Sequence, residues 1–532
     1  MKMKNKKYPY YSVPEPTDLK DLVNYCADHY QEKTAFWYRE KKEEKTVSFH
    51  QLRDDINAFG TYLANIGMQH QHIAVFGENS YAWIVSYFAI VNGGGVVVPI
   101  DNQNTVDDIQ KLIKKADVGL LIHSDIYREE AAQCEVQTLC LNDFQSFISE
   151  GKRLLANGNR CFIDHSIDRE TLCAIVFTSG TTSEPKGVML SHRSLIRDAI
   201  VSSQNLFVPE GTVCLLPLYH TFGFMAGVLC QMLKGYPVYI NTSLRRVLDD
   251  IKYAAPRHVS VVPMLLGIIY DRIWDNVRSS GKERIFRAMI TVSNGLDHCG
   301  IHIKRKLFKQ VYDAFGGNLE MLISGGSLID EKYIKGFRDI GIKVTNGYGI
   351  TECSPIVATT RNKHYAPKSV GAIQPGIDCR IKDGEVQFKG ETLFLGYYKD
   401  DNATAKAFDG EWFKTGDLGY LDKDGLLYIT GRIKNVIILS NGKNVSPEEL
   451  EALLLQHIPE VKEVLVYGEN DRIAAEIYLG PNVACDRREI ETKISELNIT
   501  LPNHKQIANV KFREREFPKT TTKKIKRNVT EA

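Results

Sequence analysis

Leu172-Cys-Ala-Ile-Val-Phe177 runs without a break into Thr178-Ser-Gly-Thr-Thr-Ser-Glu-Pro-Lys-Gly187 and on to Val188-Met-Leu-Ser191. The first six residues are a short apolar run bounded by turn formers, which reads as a buried strand. The next ten hold two glycines, five hydroxyl side chains and one lysine. Such a loop offers backbone N–H groups and hydroxyls that surround a polyphosphate, with Lys186 offsetting its charge. An ordinary exposed Ser/Thr/Gly turn would account for the composition but not for the lysine. A Walker A loop needs Gly-Lys followed by Ser or Thr at a helix start. Here the order is Lys186-Gly187 and the chain stays extended, which disfavours a mononucleotide kinase or ATPase.

Outward from this loop, short apolar runs alternate with amphipathic stretches from about Leu19 to Asn346. Strands are expected at 72–76, 95–99, 119–122, 212–216, 259–262, 321–323 and 342–344, with helices at 49–66, 81–92, 193–204, 264–280 and 303–314. That alternation predicts an α/β body of stacked mixed and parallel sheets with more than one layer. After Gly376 the texture becomes β-rich with polar turns, a small β-subdomain. The last hundred residues or so read as a separate, mobile α+β unit. There Ser446-Pro-Glu-Glu449 predicts a helix start with Ser446 as N-cap, and strands 461–468 and 473–480 predict a hairpin. The expected division is 1–432, a hinge at 433–434, and 435–532.

At 532 residues the chain suggests roughly three or four packing units, with ample room for a core. Its 67 basic residues against 65 acidic ones leave a formal charge of +2, which argues against a phosphate-backbone binder. Eleven cysteines without any CxxC pair indicate neither a disulfide framework nor a zinc knuckle, and point to a reducing, cytoplasmic setting. The basic start Met1–Lys7 leads into Tyr8-Pro-Tyr-Tyr-Ser-Val-Pro14 rather than an apolar stretch, so it does not read as a secretory signal. No segment supplies ~18 consecutive apolar residues, and at most peripheral membrane contact is expected.

Five further segments, in this order, carry a resemblance: Leu216-Pro-Leu-Tyr-His-Thr-Phe-Gly223, Ser324-Gly-Gly-Ser327, Asn346-Gly-Tyr-Gly-Ile-Thr-Glu352, Thr415-Gly-Asp417 with Gly431-Arg432, and Phe517-Pro-Lys-Thr-Thr-Thr-Lys-Lys-Ile-Lys-Arg527. Together with the 178–187 loop they resemble the adenylate-forming superfamily of acyl-CoA synthetases, luciferases and peptide-synthetase adenylation enzymes, over nearly the whole chain. The resemblance implies that Thr178, Ser179, Gly180, Thr181, Thr182 and Lys186 cradle the ATP phosphates. It implies that Gly325, Gly326 and Ser327 border the adenine and the acyl pocket, with His220 beside the acyl site. Tyr348 and Gly349 would lie on adenine, Thr351 at the α-phosphate, and Glu352 on Mg²⁺. An aromatic ring, a hydroxyl and a hard carboxylate suit those three partners. Asp417 and Arg432 would hold the ribose, and Lys434 would be the hinge. Ser440, Gly442 and Lys443 would face the thiol acceptor. Lys524 would be the catalytic lysine, although Lys523 stands where the family has glycine.

The implied chemistry is ATP-dependent conversion of a carboxylic acid to an acyl adenylate, then transfer to coenzyme A or to the phosphopantetheine of an acyl carrier protein. Amino-acid-activating relatives carry an aspartate in the segment equivalent to 216–223, and here there is none. The run 431–449 and the Lys-Ile-Lys-Arg ending look most like long-chain fatty acyl-CoA synthetases, hence fatty acid metabolism. The expected assembly is a monomer or homodimer, with no nucleic acid partner. A carrier-protein ligase, and an inactive nucleotide-sensing scaffold, are the alternatives.

Overall fold

The computed structural model describes residues 9–40, 43–178, 184–241, 246–327, 329–364, 366–440, 443–480, 486–519 and 525–527. The chain divides into two compact units, Met1–Asp378 with Lys389–Phe413, and Cys379–Phe388 with Lys414–Ala532.

The first unit holds two sheets. In one, the neighbours run Gly396–Tyr397, Lys186–Ser191, Leu172–Thr178, Val96–Ile100, His72–Phe76, Val118–His123 and Gln137–Cys140. The last five are mutually parallel, and the first two are antiparallel additions at the edge. Val97, Val98, Ile100, Cys173, Ala174 and Ile175 are fully buried, which is why these strands read as continuous apolar runs. In the other sheet, Thr34–Glu40, Val238–Ile240, Thr212–Cys214, His258–Val261, Met321–Ser324 and Lys343–Gly349 are parallel neighbours in that order. Ile356–Thr359 and Gly371–Ile373 then reverse direction.

The expected helices are present at Phe49–Asn65, Tyr81–Asn92, His192–Asn205 and Pro263–Ser279. Ser191 caps the third through a reciprocal pair with Ser194. The stretch expected as one helix over 303–314 is two short pieces, Lys304–Leu307 and Lys309–Ala314, broken at Phe308, whose ring is buried in the core. Close approach of helices follows from small residues. A Cβ built on Gly151 would lie 1.9 Å from the Ala58 carbonyl oxygen.

In the second unit, Glu463–Glu469 and Arg472–Tyr478 form the expected hairpin, and Ile507–Arg513 joins it in parallel. Helices Pro447–His457 and Arg487–Ile499 pack a core of Leu450, Leu454, Ile490 and Ile494 against these strands. Ser446 stands at the first helix's start, but not as the expected cap. Its hydroxyl donates to the Thr430 carbonyl at 2.8 Å and to Glu448 Oε2 at 3.1 Å, and no backbone N–H of the helix donates to it. Among the described residues no helix is long and apolar enough to cross a membrane.

Candidate active site

Strand Leu172–Thr178 and strand Lys186–Ser191 are antiparallel partners, with Thr178 in register with Lys186 and Phe177 with Gly187. The two ends of the phosphate-loop motif are therefore adjacent. Ser179, Gly180, Thr181 and Thr182, between them, lie outside the described residues. The short strand Gly396–Tyr397 pairs on the far side of Lys186–Ser191. It brings in a residue the sequence reading did not single out. Lys186 Nζ sits 4.6 Å from the centre of the Tyr397 ring, a cation–π contact, and the Tyr397 hydroxyl donates to Glu352 Oε1 at 2.9 Å. Burial pushes the Tyr397 phenol well above its ordinary pKa, and the Glu352 charge pushes it further, so the hydroxyl stays protonated and can donate. Tyr397 thus links the loop lysine to the carboxylate expected on Mg²⁺.

Glu352 is held from the backbone as well. Strand Lys343–Gly349 ends in a single turn, Thr351–Cys353, and the Glu352 carbonyl accepts from Phe394 N–H at 2.9 Å. The turn doubles back tightly. Ile350 N–H donates to the Pro355 carbonyl at 2.9 Å, and a Cβ on Gly349 would lie 1.9 Å from that same oxygen. Only glycine fits there. Among the described residues no three His, Cys, Asp or Glu side chains converge. One carboxylate together with substrate phosphates and water is an ordinary Mg²⁺ environment, so Glu352 fits the ion.

Beside this turn lies a cavity with a mainly apolar lining, open at one side. Gly325, Gly326, Tyr348 and Gly349, four of the expected site residues, line it together with Phe222. Gly326 holds φ of +91°, which lets the Ser324–Ser327 turn leave its strand, and Ser327 itself points outward, exposed. His220 is not on the cavity wall. It precedes helix Thr221–Phe224, its ring 4.6 Å from that of Tyr219. Asn79 fixes this segment, donating to the Leu216 carbonyl and accepting from Leu218 N–H, both at 2.9 Å.

In the second unit, Asp417 and Arg432 face one another on adjacent antiparallel strands, and Arg432 Nε donates to Asp417 Oδ1 at 2.7 Å. The aspartate side chain is 3% exposed and the arginine 42%. Thr415 Oγ1 accepts from Asp417 N–H at 3.0 Å and donates to the Val386 carbonyl at 2.7 Å, which fixes the turn. Lys434 lies in the turn Ile433–Asn435, its ammonium held below the ordinary range by burial and then by Arg432. Ser440 N–H donates to Asp471 Oδ1 at 2.5 Å, its hydroxyl also meets Asp471, and Lys443 is exposed. Gly442, Lys523 and Lys524 lie outside the described residues.

Two family models match the chain: AMP-binding enzyme over residues 23–398, and AMP-binding enzyme C-terminal domain over residues 434–532. A long-chain-fatty-acid–CoA ligase of Mycobacterium bovis, FadD15, is 27% identical over 482 residues, covering 84% of this chain and 78% of its own. A chloroplastic long-chain-fatty-acid–[acyl-carrier-protein] ligase of Arabidopsis thaliana, AEE15, is 22% identical over 568 residues, covering 89% and 77%. The crystal structure of the anthranilate CoA ligase AuaEII in complex with anthranoyl-AMP superposes with a TM-score of 0.79, covering 98% of this chain and 96% of that one. Its 21% identity carries the fold alone.

Proposed function

The chain belongs to the AMP-binding enzyme family, and from that premise we propose that it is an AMP-forming acid–thiol ligase. It takes a medium- or long-chain fatty acid and joins it to coenzyme A. A carboxylate oxygen attacks the α-phosphorus of ATP, the bond to the β-phosphate bridge oxygen breaks, and pyrophosphate leaves. The thiol then attacks the acyl carbonyl, loses its proton and displaces AMP. The observation that carries this reading is the chain of contacts Lys186–Tyr397–Glu352, which runs beside the Tyr348–Gly349 edge of a cavity with an apolar lining.

Lys186 is assigned the β- and γ-phosphates and Lys524 the approach of the acid to the α-phosphate, where two anions must meet. Glu352 would hold Mg²⁺, which supplies charge neutralisation on the phosphates. Asp417 accepts from the ribose hydroxyls, oriented by Arg432. Asp417→Ala is accordingly expected to weaken ATP binding about tenfold or more, at about 1.5–3 kcal/mol per charge-assisted bond, with little change in the KM for the acid. Isothermal titration with ATP checks this, and unchanged affinity would remove Asp417 from the site.

The reading as a whole is tested with ATP, Mg²⁺, CoA and a ladder of fatty, aryl and amino acids, following pyrophosphate and the mass of the thioester. Acid-dependent pyrophosphate and AMP are expected; ADP as product, or no acid dependence, would overturn it. The Arabidopsis relative favours a second reading, in which the acceptor is a carrier protein's phosphopantetheine. Supplying that carrier in place of CoA separates the two. A nucleotide sensor would bind ATP without turnover in either assay.

A further inference from the structure

One helix forms a whole side of the cavity. It runs from Thr221 to Leu233 with a π-helical stretch at Met225–Leu229, and it turns Phe222, Ala226, Cys230 and Lys234 toward the space. Phe222 marks the reacting end, because a Cβ on Gly325 would lie 3.0 Å from its ring and Tyr348 and Gly349 share the same wall. Lys234 stands twelve residues on, roughly 18 Å along a helix at 1.5 Å per residue. The walls at that end are Leu206, Val208 and Ile323.

A lysine is out of place at the end of an aliphatic pocket. Among the described residues its Nζ has one acceptor, the Leu206 carbonyl at 3.3 Å, and no carboxylate pairs with it. Lys234 is half-buried, and two of its N–H donors are left without a protein acceptor even though Ser203 and Gln231 share the mainly apolar lining, a costly arrangement for an ammonium. Burial lowers its pKa to about 8, so it remains mostly charged near neutrality. The neighbouring groups do not relieve it. The Cys230 thiol is pushed up to about 12 by burial and stays neutral. His258, with Nδ1 donating to the Pro209 carbonyl at 2.7 Å, is lowered to about 3 by burial and by Lys234 itself.

We propose that Lys234 is a specificity-determining residue that receives an oxygen acceptor at the far end of the acyl chain. The pocket then favours fatty acids carrying a terminal hydroxyl or carboxylate over the unsubstituted acid. A ligand oxygen would supply the acceptor the protein withholds, whereas a methyl terminus would displace water from the ammonium and offer no acceptor in its place. This rests on the ligase reading and narrows its substrate class.

The test compares a saturated acid with its ω-hydroxy and ω-carboxy derivatives of equal chain length, in the wild type, Lys234→Met and Lys234→Arg. Two readouts are taken: pyrophosphate release, and calorimetric binding of each acid without ATP, with thermal denaturation to check folding. In the wild type kcat/KM for at least one oxygenated acid should exceed that for the unsubstituted acid by at least tenfold, mainly through KM. The two oxygenated arms tell hydroxyl from carboxylate. Lys234→Met should reverse the order, and Lys234→Arg should keep it. A wild-type preference for the unsubstituted acid, or an equal loss on all three acids in Lys234→Met, would overturn the inference and leave a lysine that merely holds the end of helix His192–Asn205. If no acid releases pyrophosphate, the ligase reading fails, and the calorimetric order still decides the role of Lys234.

Discussion

Lys524→Ala is expected to lower acid-dependent pyrophosphate release by about 10²–10³-fold, the usual effect of losing one group aimed at developing charge. The same variant should form thioester from a supplied acyl adenylate within a few-fold of the normal rate. The asymmetry follows from charge. Adenylation brings a carboxylate against a polyphosphate, two anions whose repulsion an ammonium relieves. Thiol transfer starts from an uncharged acyl carbon, where that relief has little to act on. Lys523→Ala is the control, since Lys523 occupies the position where the family has glycine. A normal rate of pyrophosphate release in Lys524→Ala, or a loss only in Lys523→Ala, would transfer the role away from Lys524.

For Glu352→Gln the expected outcome is a Mg²⁺ requirement raised at least tenfold, with kcat reduced by about 10² at saturating metal. Glutamine keeps an oxygen that accepts from the Tyr397 hydroxyl, which Glu352 Oε1 now does at 2.9 Å. The backbone turn, anchored through Phe394 N–H, is untouched. What the substitution removes is the negative charge, and a hard divalent ion depends on charge far more than a hydrogen bond does. Tyr397→Phe makes the complementary change: it deletes the phenolic donor, keeps the ring over Lys186, and should alter kcat by less than tenfold. The measurement is pyrophosphate release titrated with MgCl₂. An unshifted midpoint in Glu352→Gln would exclude the carboxylate as a metal ligand.

The buried parallel strands were legible because burial on both faces demands apolar runs, as in His72–Phe76 and Leu172–Thr178. Lys186-Gly187 announced an extended strand rather than a helix start, and the chain there is a strand. The edge hairpin Thr34–Glu40 with Glu43–Ser48 was not legible. Residues Glu43–Thr46, three charged and one threonine, are all exposed, so they carry no alternation to read. Helix Glu283–His298 escaped for a similar reason, since most of its surface, Ile285 and Val292 included, faces outward. Tyr397 was hidden differently. It acts through Glu352, 45 residues away in sequence, and through a two-residue strand that only pairing defines. Ser446 shows how a correct local pattern can yield a wrong contact. The residue stands where a cap belongs, but the Thr430 carbonyl competes successfully for its hydroxyl.

Around the lysine-bearing segment at the C-terminal end, Lys519 and Ile525 form an antiparallel bridge, and Arg527 donates to Glu451 at 2.6 Å. Phe517 and Ile525 both pack against Leu465 and Tyr478. These contacts lie within the second unit and form when it folds, so the ordering entropy of Phe517, Lys519, Ile525 and Arg527 is met before ATP or acid binds. Replacing Arg527 would give that entropy back by releasing the ion pair with Glu451.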